Sequence, residues 1–62
     1  METDELKLRL KKLNARAIQA KMDLHDLSEE LPTNWEMILQ VAQRCHEAHA
    51  MLMDVRKAVA AP

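Results

Sequence analysis

Pro32 divides this chain in two. Proline has no N–H to give a helix, its ring collides with the preceding turn, and it pushes Leu31 before it out of the α region. A first helix is therefore expected from about Asp4 to Glu30. Asp4 and Glu5 stand in its opening turn, where negative charge suits the helix dipole, with Thr3 placed to cap it. After the proline, Thr33-Asn34-Trp35-Glu36 reads as a capping box, in which the Thr33 hydroxyl accepts from the Glu36 N–H and the Glu36 carboxylate reaches back to the Thr33 N–H. The second helix is expected over about 34–60, leaving a turn over about 31–33. A connection that short makes the two helices antiparallel neighbours. The chain contains no glycine, so the turn is expected to lean on Pro32 and Thr33 rather than on a left-handed glycine cap.

Each helix carries an unbroken heptad seam. In the first, Leu6, Leu10, Leu13, Ala17, Ala20, Leu24, Leu27 and Leu31 alternate spacings of four and three; in the second, Ile38, Val41, Cys45, Ala48, Leu52, Val55 and Val59 do the same. Antiparallel register sets Leu27 level with Val41, Leu24 with Cys45, Ala20 with Ala48 and Ala17 with Leu52. Alanines thus collect at mid-length, where thin side chains let the helices approach. The fold class that follows is all-α: residues 1–62 form one helical hairpin with no second domain.

Size then adds a demand. Sixty-two residues, 48% of them apolar, cannot enclose much when two helices touch along one seam, and the lone Cys45 allows no internal disulfide. Association is the expected remedy: a homodimer forming an antiparallel four-helix bundle, with Leu10, Leu13, Ala17, Ala20, Leu24, Leu27, Ile38, Val41, Cys45, Ala48, Leu52 and Val55 as its core. Charge selects the arrangement. Residues 7–21 hold Lys7, Arg9, Lys11, Lys12, Arg16 and Lys21 with no acid, and residues 22–43 hold Asp23, Asp26, Glu29, Glu30 and Glu36 with no lysine or arginine. Two copies laid antiparallel bring opposite charges together, whereas parallel copies stack like on like.

A second stripe lies off the seam: Leu8, Ala15, Ile18, Met22 and His25 on the first helix, Trp35, Leu39, Ala42, His46, His49 and Met53 on the second. Met22, His25, Trp35, Leu39 and Met53 are the residues expected to meet a partner, either a second dimer in a tetramer or another protein, because Met beside Trp makes adaptable contacts. His46 and His49, at i and i+3, share a face and stand near the level of His25; they are the chain's candidate metal ligands. A structural zinc site wants four ligands, and the seam position of Cys45 is expected to point it away from His46 and His49, so no metal site is assigned. No paired-carboxylate cleft, nucleophile-base set or phosphate-cradling glycine loop is present, and no cofactor is implied; the expectation is a protein that is not an enzyme. No apolar run is long enough for a membrane span and the amino terminus has no signal-type apolar core, which makes the cytoplasm the expected compartment.

The run AKMDLHDLSEELPTNWE, Ala20 to Glu36, with KKLNARA before it and VAQ after, resembles the Rop-like family of small two-helix proteins encoded within bacterial nitrogen-fixation operons. The resemblance implies an accessory or adaptor protein of nitrogen fixation acting through protein contacts, with a nitrogenase-related protein as partner. His25 matches the family pattern, while the family is expected to carry bulky aromatics where this chain has His46 and His49. The alternative is a regulator that binds RNA, as Rop does, through the basic stripe of residues 7–21. A net charge of −1 and the lack of Phe or Tyr for base stacking weigh against nucleic acid.

Overall fold

A computed structural model describes residues 2–60, with side chains from residue 4 onward. Helix α1 runs Glu2–Glu30, a 3-10 turn spans Trp35–Met37, and helix α2 runs Ile38–Ala60. The helices are antiparallel and form a rod 47 × 14 × 12 Å. No helix among the described residues is long and apolar enough to cross a membrane.

Helix α1 is already under way at Thr3, so that residue does not stand at its cap. The connection departs further from expectation. Thr33 donates its N–H to the Glu30 carbonyl at 3.0 Å, closing the end of α1. That N–H is therefore unavailable to Glu36, and the capping box does not form. Asn34 instead takes the left-handed conformation, φ 60° and ψ 28°, and makes no side-chain capping bond. Its carbonyl accepts from Met37 N–H at 2.9 Å, and the Ile38 N–H bonds back to Trp35 O, so the chain winds through one 3-10 turn before the α-helix starts. The regular helix thus begins four residues later than the sequence led one to expect. In a chain without glycine, asparagine is the residue that occupies this region at lowest cost.

This assigns Asn34 a measurable role. Asn34→Gly should leave thermal stability equal or slightly raised, whereas Asn34→Val, forced to φ near 60°, should lose about 1–2 kcal/mol in urea titration. Equal stability of the two variants would mean that the turn does not require the left-handed residue.

Packing follows the heptads within the hairpin. Leu13, Ala17, Leu52 and Val55 form the buried cluster, with Leu10 and Ala48 against it. Ala17 is the most enclosed residue at 2% exposure. The register sets Ala17 opposite Leu52, so at this level the small residue of one helix receives the large one of the other. Burial fades along the seam: Leu27 is enclosed, Leu24, Val41 and Cys45 are half-buried, and every residue from Leu31 to Gln40 is exposed, Ile38 among them.

Candidate functional site

The outward stripe begins where α2 begins. Trp35 lies in the 3-10 turn and Leu39 in the first turn of α2. Trp35 is 62% exposed and Leu39 82%. Both are large side chains held in water; burying either would gain about 1.5–3 kcal/mol that the hairpin itself does not collect. Leu8, Ile18 and Met22 on α1 and Met53 on α2 are likewise about half exposed.

His25, expected beside this stripe, is engaged within its own helix. Its Nε2 lies 3.3 Å from Glu29 Oε1 and its Nδ1 3.8 Å from Asp26 Oδ1, and its carbonyl accepts from Ser28 Oγ at 2.7 Å. His46 and His49 line a different place, a groove of about 430 Å³ between the helices, walled by Leu24, Ala42, Cys45 and Met53. The structure does not bring the three histidines together: among the described residues no group of three or more His, Cys, Asp or Glu side chains is placed to hold a metal ion.

Cys45 corrects the sequence reading in one respect. It does not point away from His49: its Sγ is 3.7 Å from His49 Nδ1. Residues i and i+4 stack on a helix, and the half-buried His49 ring folds back toward the preceding turn. His49 Nδ1 lies 2.9 Å from the Cys45 carbonyl oxygen, which only accepts, so Nδ1 is the donor in this contact. The pair is an anchor that holds one histidine against the helix.

A second groove, of about 450 Å³, opens toward the other end of the rod. Lys7, Lys11 and Asn14 of α1 and Arg56 of α2 line it over a floor of Leu10 and Leu52. Sequence reasoning counted Lys7 and Lys11 in the basic stripe but missed Asn14 and Arg56. The register was the available signal, since pairing Ala17 with Leu52 sets Arg56 level with Leu13. Among the described residues the ion pairs within 4 Å are those of His25 with Asp26 and Glu29, so no lysine or arginine is paired with a described carboxylate. Acidic side chains turn instead to neighbouring amides, with Gln19 donating to Asp23 at 2.9 Å and Gln43 to Glu47 at 3.1 Å.

The arrangement offers surfaces rather than an enclosed cleft: an apolar outer stripe, a groove with a tethered histidine, and a basic groove with an apolar floor. Compared with known proteins, the whole chain, residues 1–62, matches the family model described as Rop-like. It is 52% identical over 56 residues to a UPF0437 protein of Azorhizobium caulinodans, across 90% of this chain and 81% of that one. It is 43% identical over 60 residues to UPF0437 protein y4xE of Sinorhizobium fredii, across 97% of this chain and 90% of the relative. A further relative, from Frankia alni, is named as a UPF0437 protein in the nifX-nifW intergenic region; it is 52% identical over 42 residues, covering 68% of this chain and 51% of its own length. No solved structure matches the chain.

Proposed function

Given that the chain belongs to the Rop-like family, we propose that it is a non-catalytic adaptor associated with nitrogen fixation, acting in the cytoplasm by holding a nitrogenase-related protein against its outer stripe. The observation that carries this reading is the exposure of Trp35 and Leu39, four residues apart where the chain enters α2. An aromatic anchor with an adjacent aliphatic side chain is the kind of pair around which protein interfaces concentrate their binding energy. Met22 adds an exposed side chain able to adapt to a partner's shape, Met53 another in the wall of the histidine groove, and His25 a hydrogen-bonding group exposed on α1. The association with nitrogen fixation rests on the Frankia relative, whose name places it between nifX and nifW. A rod 14 × 12 Å in cross-section has room for docking surfaces and little for an enclosed reaction chamber, which supports a role without catalysis.

The test is capture from nitrogen-fixing cells with the intact protein as bait, beside a Trp35→Ala/Leu39→Ser variant. Both substituted residues are exposed, so the variant should keep its helicity and its stability to within about 0.5 kcal/mol. It should nevertheless lose the nitrogenase-related proteins that the parent recovers. Undiminished recovery would mean that the stripe is ordinary surface.

The second reading, RNA binding, is favoured by the groove that gathers Lys7, Lys11 and Arg56 with no acid in its lining. It would appear in the same experiment as nuclease-sensitive RNA on the bait, retained by Trp35→Ala/Leu39→Ser and lost from Lys7→Glu/Lys11→Glu.

A further inference from the structure

We propose that the histidine groove of α2 is a binding site for a monovalent copper ion, with His46, His49 and Met53 as its ligands and the backbone of Cys45 as the support that orients His49.

The donor atoms select the ion. Cys45, His46, His49 and Met53 supply every side-chain heteroatom in the lining of the groove, the rest of which is Leu24 and alanine. Nitrogen and sulfur are present, and no carboxylate, amide or hydroxyl oxygen is. Calcium and magnesium want oxygen ligands, and tetragonal Cu(II) and Ni(II) favour nitrogen with oxygen. Zinc takes thiolate, imidazole or carboxylate rather than thioether, and closes its structural sites with four ligands. Imidazole together with a soft thioether suits Cu(I), a closed-shell ion that is satisfied by a linear or trigonal array. Among the described residues no three His, Cys, Asp or Glu side chains converge on one point; here a methionine completes the set.

Spacing brings the ligands together. His46 and His49 are three residues apart on α2 and His49 and Met53 four, the two separations at which helical side chains are neighbours. Side chains on a helix lean toward its amino end, which carries Met53 toward His49 and His49 toward the turn of His46. The three therefore reach toward one turn, although their backbones span a rise of about 10 Å.

One ligand is set in advance. Histidines that bind metals ordinarily donate their other ring N–H to a carbonyl or carboxylate, which fixes the tautomer and the plane of the ring. His49 has that bond already, with Nδ1 at 2.9 Å from the Cys45 carbonyl oxygen and 3.7 Å from Cys45 Sγ. A neutral ring that donates from Nδ1 carries its lone pair on Nε2. An arriving ion then has to recruit His46 and Met53, and both are exposed and free to turn toward it. Leu24, on the facing helix, supplies an apolar wall that keeps competing water from part of the site.

Copper binding is measured on the purified chain without a partner, and neither Trp35 nor Leu39 lines the groove, so it stands or falls apart from the adaptor reading. The experiment titrates the intact chain with Cu(I), kept reduced by ascorbate in the absence of oxygen, against the chromophoric chelator bicinchoninate. The parent should take up one ion per chain. His46→Ala, His49→Ala and Met53→Leu should each weaken binding roughly tenfold or more, at least what the loss of an outer-shell partner costs a metal site. Circular dichroism should show unchanged helicity; His46 and Met53 are exposed, so those two variants test the site even where His49→Ala disturbs the fold. Met51→Leu, at an exposed thioether outside the groove, should bind as the parent does. X-ray absorption of the copper-loaded parent should show nitrogen and sulfur around the ion, with the sulfur signal absent from Met53→Leu. The site is overturned if the chelator keeps the copper, if Met53→Leu binds like the parent or no worse than Met51→Leu, or if Zn(II) binds as tightly through His46 and His49 alone. It is equally overturned if the sulfur signal persists in Met53→Leu, because the ion would then be held by the Cys45 thiolate.

Discussion

Replacing Ala17 with glutamate should unfold the hairpin at room temperature, with far-ultraviolet ellipticity falling to that of a largely disordered chain. Ala17 is 2% exposed and packs with Leu13, Leu52 and Val55 in the buried cluster between the helices. The cluster around it is wholly apolar, and burying a charge among such side chains costs several kcal/mol. A chain of 62 residues has a total stability on the order of 3–9 kcal/mol at the usual yield per residue. The substitution consumes most or all of that. Ala15→Glu, at an exposed position two residues away, is the control and should change stability by less than about 0.5 kcal/mol. Full helicity in the Ala17 variant would mean that the seam faces elsewhere.

Leu52→Ala should be the next most damaging single change, costing about 2–3 kcal/mol in urea unfolding, toward the lower end of the 2–5 kcal/mol seen for buried leucines. The loss has two parts: the transfer energy of the removed atoms and the cavity left opposite Ala17, where neither helix has a side chain large enough to fill it. The lower end applies because the rod is only 14 × 12 Å across, so the gap is open to water or to a small inward shift of either helix. Leu52→Met, which keeps the volume, should cost less than about 1.5 kcal/mol. Leu39→Ala, on the same helix at 82% exposure, should cost almost nothing. If Leu39 proves the more sensitive of the two in the isolated protein, the assignment of inner and outer faces is reversed.

Most of the fold was legible because a heptad repeat has few readings. Once Leu13, Ala17, Leu52 and Val55 fall on seams of opposite direction, the cluster they form is nearly forced. The connection was less legible, for a local reason: one N–H, that of Thr33, is wanted by two partners. The last carbonyls of α1 and the carboxylate of Glu36 both require it, and a sequence does not say which arrives first. In the folded chain the Glu30 carbonyl takes it, and the reversal passes to Asn34, whose tolerance of positive φ matters only once the backbone has been pushed there. The pairing of Cys45 with His49 was missed because heptad letters sort residues onto faces, while a histidine ring is long enough to lean from one face to the next. The basic groove was half-read, since a stripe counted along one helix does not reveal the arginine supplied by the other.

Where the buried cluster lies has a consequence for how the molecule opens. Enclosure is greatest between Leu13 and Val55, far from the connection, and absent throughout residues 31–40. The clasp is therefore remote from the hinge. Leu13 and Val55 are separated by three times as much chain as Leu27 and Val41, which by loop-closure entropy makes the remote contact costlier to form by about 1 kcal/mol. Breathing and folding then follow different routes. In the native state the turn end frays while the waist stays shut, so amide protons near Trp35 exchange with water long before those near Leu52. Starting from the unfolded chain, the turn end is the shorter loop and meets first, yet it holds little until the waist has closed behind it.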